Sequence, residues 1–206
     1  MAGRAFRRVP VSASTPLRSL LYTTPLRVVG LIALLLAPWA GPVAAELTPW
    51  QAPAPPTLTL ESLDGDSISL IDLDDSVVVV HFFATWCEPC RRELSALERM
   101  TQRFEGRSLA ILATDSGEPE ARVRRFFREF PVSFPVLLDG DRAALKAWGV
   151  TTFPTSFLVG GGRRPLMVAE GEVAWESDAI ATVIAKFLDA GESPLTQPAI
   201  RAASPY

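Results

Sequence analysis

Residues 77–93 read VVVVHFFATWCEPCRRE. The first part, Val77 to Phe83, is β-branched and aromatic, the composition of a strand buried on both faces. From Pro89 to Phe104 the pattern changes. Leu94, Leu97 and Met100 recur at helical spacing, and Gly106 stands where such a helix would end. Cys87 and Cys90, the only two cysteines of the chain, fall at the corner between strand and helix. A helix N-terminus presents unpaired N–H groups and the positive end of a dipole. A thiolate placed there is stabilised, and its pKa can fall from about 8.5 to roughly 3.5–7.5. Pro89 has no N–H to offer, which the first turn tolerates. The spacing therefore predicts Cys87 as an exposed, attacking sulfur and Cys90, a turn inward, as a shielded, resolving one.

Other uses of a cysteine pair fit less well. A structural zinc site needs about four ligands, and the chain holds two cysteines and one histidine. A disulfide closing so short a loop constrains the unfolded chain little. No metal or other cofactor is expected.

The chain has 206 residues, 48% of them apolar, enough for one domain with a real core plus a leader. Its net charge is −3, and residues 1–45 hold five arginines and no acid, so the remainder is more acidic still. An acidic body without a basic patch argues against nucleic acid as a partner.

Residues 1–45 combine an arginine-bearing start, an apolar run from Val28 to Ala37, and Val43-Ala44-Ala45 before Glu46. That is a secretory signal pattern, with cleavage after Ala45. The competing reading is an uncleaved anchor and membrane tether, since Val28 to Ala45 carries no charge; its prolines and glycines suit a spanning helix poorly. Both readings place the domain in the periplasm or elsewhere outside the cytosol, where disulfides persist.

Residues 46–56, with four prolines, read as an extended linker. Thr57 to Leu60 and Ser67 to Ile71 flank Asp64-Gly65 as a hairpin. Leu109 to Ala113 is a strand, Glu118 to Phe130 a helix stopped by Pro131, Val136 to Leu138 a strand and Arg142 to Trp148 a short helix. Thr155 to Val159 and Leu166 to Glu170 form a second hairpin around Gly160-Gly161-Gly162. Ser177 caps a final helix to Leu188, and residues 191–206 are a flexible tail. Strands alternating with helices imply an α/β fold with a parallel core.

On W-C-E-P-C-R-R-E and this order of elements, residues 57–190 resemble the thioredoxin superfamily, and more narrowly its extracytoplasmic TlpA/ResA/CcmG-like branch. The resemblance implies a thioredoxin-like fold: a mixed central sheet flanked by helices, with an N-terminal hairpin and a central helix–strand insert from Glu118 to Leu138. It implies a cis peptide bond before Pro154, with Phe153 offering its backbone to an extended polypeptide. It implies that Glu93, three residues after Cys90, lies near the dithiol, where a desolvated carboxylate can hold or relay a proton. Trp86 belongs to the docking face in the same reading.

His81 departs from the thioredoxin pattern, which has a buried Asp there. Two readings stand: a base for Cys90, or a buried neutral imidazole satisfied by a neighbour. Glu88, between the cysteines, disfavours a nearby thiolate, while Arg91 and Arg92 act oppositely.

These features predict an extracytoplasmic thiol:disulfide oxidoreductase, reducing rather than oxidising. Its partners would be a disulfide-bearing client protein and an upstream, membrane-borne thiol donor. By resemblance the clients belong to cytochrome c maturation or oxidase assembly. A peroxidase with Thr85 ahead of Cys87, and a copper chaperone using both thiolates, are the alternatives.

Overall fold

The structure, a computed structural model, describes residues 44–191 apart from Pro53 and Asp75. The leader up to Val43 and the tail from Glu192 lie outside the described residues. Eight strands form one mixed sheet: β1 (Thr48–Pro49), β2 (Thr59–Ser62), β3 (Ser67–Ser69), β4 (Val77–Phe83), β5 (Leu109–Asp115), β6 (Val136–Leu138), β7 (Thr155–Gly160) and β8 (Arg164–Glu170). Their order across the sheet is β1-β8-β7-β4-β5-β6-β2-β3. β5 is parallel to both β4 and β6, and the remaining pairs are antiparallel. Four helices complete the domain: α1 (Glu88–Arg103), α2 (Glu120–Glu129), α3 (Ala143–Ala147) and α4 (Asp178–Gly191).

β4 lies between β5 and β7 and is buried at all seven residues, as its composition requires. Alternation divides its side chains between two cores. Val77, Val79 and Phe83 face α1, α2 and α4 and pack with Leu97, Phe127 and Ile184. Val78, Val80 and Phe82 face Leu73, Trp148 and Phe157. Helix α1 begins at Glu88 because Cys87 is its N-cap, and it buries Cys90, Glu93, Leu94, Leu97 and Met100 along one stripe.

Several boundaries differ from expectation for local reasons. The 46–56 stretch is not a free linker at its start: Thr48 and Pro49 pair with Val168 and Met167 of β8. Trp50 then stacks on Trp148 at 5.6 Å. The first hairpin forms around Gly65 (φ +87°) as expected, but β3 ends at Ser69. There a 3₁₀ turn, Leu70–Leu73, puts both leucines into the core, which three-residue periodicity allows and a strand does not. Helix α2 starts at Glu120 rather than Glu118 because Pro119 is extended. Helix α3 starts after Arg142, whose backbone is left-handed (φ +61°). The second hairpin closes through a short turn, Gly161–Arg163. A Cβ on Gly161 would come within 2.8 Å of the Asp74 carbonyl oxygen, so that turn needs glycine. The final helix runs past Leu188 to Gly191, and the Ser177 hydroxyl accepts the Ile180 N–H at its start.

Candidate active site

The two cysteines are joined, with an S–S distance of 2.06 Å and Cα atoms 5.3 Å apart. Cys87 Sγ also accepts the Cys90 N–H at 3.2 Å, one of the donors a helix start leaves free. Cys90 is fully buried, and Cys87 retains only 5% exposure. The expected order of access is present, but Cys87 is far less open than the sequence reading supposed. As N-cap, its side chain turns back over the helix end instead of projecting outward.

The surface around Cys87 is aromatic. Trp86 is 65% exposed. Its ring meets that of Phe153 edge to face at 6.0 Å. The Phe153–Pro154 peptide is cis, and the Pro154 carbonyl accepts the Gly171 N–H at 2.8 Å, tying this corner to the end of β8.

Beneath the disulfide lies a buried polar cluster. Glu93, one helical turn after Cys90, is 1% exposed. Its carboxylate accepts the Val173 N–H, and accepts Trp175 Nε1–H at 2.9 Å. Burial pushes the Glu93 carboxyl up to about 7 against the pull of these two donors. His81 Nδ1 lies 2.9 Å from Ser156 Oγ and 3.4 Å from Glu93 Oε2, while its Nε2 is buried with no partner. Burial pushes the imidazole down to about 3, so it is held neutral. His81 is thus a buried imidazole with one ring nitrogen on Ser156 and the other without a partner.

On the outer side of α1, Glu88 is exposed and lies 3.7 Å from both Arg91 and Arg92, so its charge is shared with the two cations expected to oppose it. The Arg91 guanidinium sits 4.6 Å above the Phe130 ring. Arg92 forms two 2.8 Å bonds to Glu172. These groups line a groove of about 650 Å³, with Phe130 and the 172–176 loop as its walls.

Three contributors were not legible in the sequence. The Glu118 carboxylate, in the turn before α2, accepts both the Thr85 N–H (2.6 Å) and the Thr85 hydroxyl (2.8 Å) and so grips the loop that carries Trp86 and Cys87. Ser156 and Trp175 reach the cluster from β7 and from the turn after β8. Each is separated from its partner by dozens of residues; sheet register sets Ser156 opposite His81, and the turns before α2 and after β8 bring in Glu118 and Trp175. Among the described residues no group of three or more histidine, cysteine, aspartate or glutamate side chains is arranged to hold a metal ion.

The mixed sheet, the helix-capping disulfide and the cis-proline corner define a thioredoxin-like protein. The AhpC/TSA family model matches residues 51–163, more than half of the chain, and the chain belongs to that family. Among curated proteins it is 35% identical over 116 residues to "Thiol-disulfide oxidoreductase ResA" of Bacillus subtilis (strain 168), covering 56% of this chain and 65% of that one. It is 34% identical over 100 residues to the protein of the same name from Halalkalibacterium halodurans, covering 48% and 57% respectively. The chain thus spans less than two thirds of the length of these relatives. Two solved structures share the fold. A thiol:disulfide interchange protein of the thioredoxin family from Chlorobium tepidum TLS matches with TM-score 0.58 and 23% identity, over 71% of this chain and 99% of that one. StoA from Bacillus subtilis matches with TM-score 0.54 and 23% identity, over 61% and 95%.

Proposed function

We propose that the protein is an extracytoplasmic thiol:disulfide oxidoreductase that reduces disulfides in client proteins. The observation that carries this reading is the Cys87–Cys90 pair at the start of α1, its outer sulfur on a free helix N–H and next to the exposed Trp86, whose ring meets the half-buried Phe153. The ResA names of the matched relatives support it.

In the reduced enzyme Cys87 is the attacking thiolate. It displaces one client sulfur as a thiolate and forms a mixed disulfide. Cys90 then gives its proton to the Glu93 carboxylate and attacks Cys87 Sγ. The second client sulfur leaves, and the enzyme is left oxidised, in the bonded form seen here. Two electrons pass to the client, and an upstream thiol donor, membrane-borne in this reading, restores them. Trp86, Phe153 and Pro154 form the face on which the client segment lies. No cofactor takes part. The arginine-bearing leader supports secretion or tethering outside the cytosol, and clients of the cytochrome c maturation or oxidase assembly type follow from the resemblance. The peroxidase alternative would want a free hydroxyl ahead of the attacking cysteine, and the Thr85 hydroxyl is bound to Glu118.

Insulin reduction by the wild type and by Cys87→Ser tests the attack step. The expected result is loss of turnover in the variant; equal rates would overturn it. An equilibrium potential well below about −200 mV is expected for a reductant, whereas one near about −120 mV would mark an oxidant.

A further inference from the structure

The cluster under the disulfide is assembled for a particular charge state. Glu93 Oε1 accepts a backbone N–H from Val173, and Oε2 accepts the Trp175 indole N–H. Both partners are donors only. A protonated carboxyl would need an acceptor for its own hydrogen, and besides Trp175 the polar group at Oε2 is His81 Nδ1 at 3.4 Å.

The tautomer of His81 decides what that nitrogen offers. Nε2 is buried without a partner. A hydrogen there would be an orphaned donor, and an orphaned buried N–H is costlier and rarer than a bare lone pair. The hydrogen therefore sits on Nδ1, and Ser156 Oγ, directly across the β4–β7 ladder, accepts it at 2.9 Å. An imidazolium would carry the same orphaned Nε2 hydrogen plus an uncompensated charge.

We propose that His81 is a positioning residue for Glu93: its Nδ1–H, held by Ser156, presents a positive end to Oε2 and favours the ionised carboxylate that takes the Cys90 proton. The proposal rests on the oxidoreductase reading above and deepens it. Burial lifts the Glu93 carboxyl to about 7 against the Trp175 and Val173 donors, and the His81 Nδ1–H, 3.4 Å from Oε2, adds a further favourable dipole on the ionised form. The other charged groups near Glu93 come from α1 and from the turn after β8. From α1, Cys90 lies one turn before Glu93, and Glu88, Arg91, Arg92 and Arg99 line the groove that Glu93 borders. The turn after β8 brings Glu172, whose charge raises the Glu93 pKa but is itself paired with Arg92. From β5, Ala113 lies opposite His81, and the Asp115 carboxylate is engaged by the Gly117 and Glu118 N–H groups. From α4 the packed residues are Ile184 and Leu188.

The test isolates the resolving step. Reduced full-length protein is mixed with the aromatic disulfide 5,5′-dithiobis(2-nitrobenzoate), and the two thiolate releases are followed by stopped flow. The first reports Cys87 attack and the second Cys90 attack. The expected wild-type result is a second release that accelerates with a midpoint near that of Glu93. In His81→Leu that midpoint moves up by about one unit, an about fivefold slower second release at neutral pH. His81→Asn returns an N–H donor and recovers part of the shift. An unmoved or lowered midpoint in His81→Leu overturns the proposal. Should that variant fail to fold, nitrogen NMR of the wild-type imidazole across about pH 5–9 decides. A neutral ring protonated at Nδ1, its proton shift following Glu93, supports the proposal; hydrogen on Nε2 overturns it. Wild-type protein that releases no second thiolate at any pH would instead defeat the oxidoreductase reading.

Discussion

At the scale of single residues, the decisive feature is a carboxyl and an imidazole sharing one dry pocket. Burial moves their pKa values in opposite directions, because it disfavours whichever form is charged. For Glu93 the folded value, about 7, stands above the unfolded one of 4.5. Its contribution to stability is therefore full below pH 4.5 and is lost as pH rises through about 7. The expected outcome is that the wild type's stability falls relative to Glu93→Gln over that window, measured by urea unfolding of the oxidised protein at several pH values. A wild type that keeps pace with Glu93→Gln, or gains on it as pH rises, would mean the carboxyl pKa is not raised on folding. His81 has the opposite sign. Its folded value is depressed to about 3, so stability from this group is present above pH 6.5 and is lost as pH falls toward about 3.

At the scale of elements, the corner that carries the cysteine pair is held from outside its own segment. The loop between β4 and α1 carries Trp86 and Cys87, but its anchor is Glu118 in the turn before α2. Glu118→Ala leaves the half-buried Thr85 N–H and hydroxyl without their charged acceptor. The expected cost is about 2–3 kcal/mol, with a slower reaction of reduced Cys87 toward iodoacetamide. Unchanged denaturant midpoints together with unchanged alkylation would show that the loop holds itself. The cis-proline corner is tied similarly, by the Gly171 N–H at the end of β8. Helix α1 itself depends on local features: a capping sulfur, a first-turn proline and a regular apolar stripe.

At the scale of the whole molecule, the domain reaches further toward the N-terminus than the proline-rich composition suggests. β1 adds an edge strand to β8, and Trp50 covers Trp148 and Phe157, with ring centroids 5.6 and 4.8 Å away. Trp50→Ala is expected to cost about 2 kcal/mol, below the loss for a fully buried tryptophan because the ring is only partly covered. A thermal unfolding midpoint equal to the wild type's would show that 44–50 is a passive tether.

The sequence alone determined the central strand, the helix that follows it and the cysteine pair between them. Those signals are local: a run of β-branched residues, a 3.6-residue apolar period and a spacing of three between cysteines. Glu93 entered through the family resemblance, since helical spacing alone left a solvent-facing glutamate equally open. Tertiary structure alone decided how little of Cys87 is exposed, and that Ser156 and Trp175 complete the pocket of His81 and Glu93. It also decided that Glu118 clamps Thr85 and that the 46–56 stretch joins the sheet. The physical reason is the same in each case. Those contacts are made across the sheet and between chain segments far apart in sequence, where no period or local propensity reports which side chains will meet.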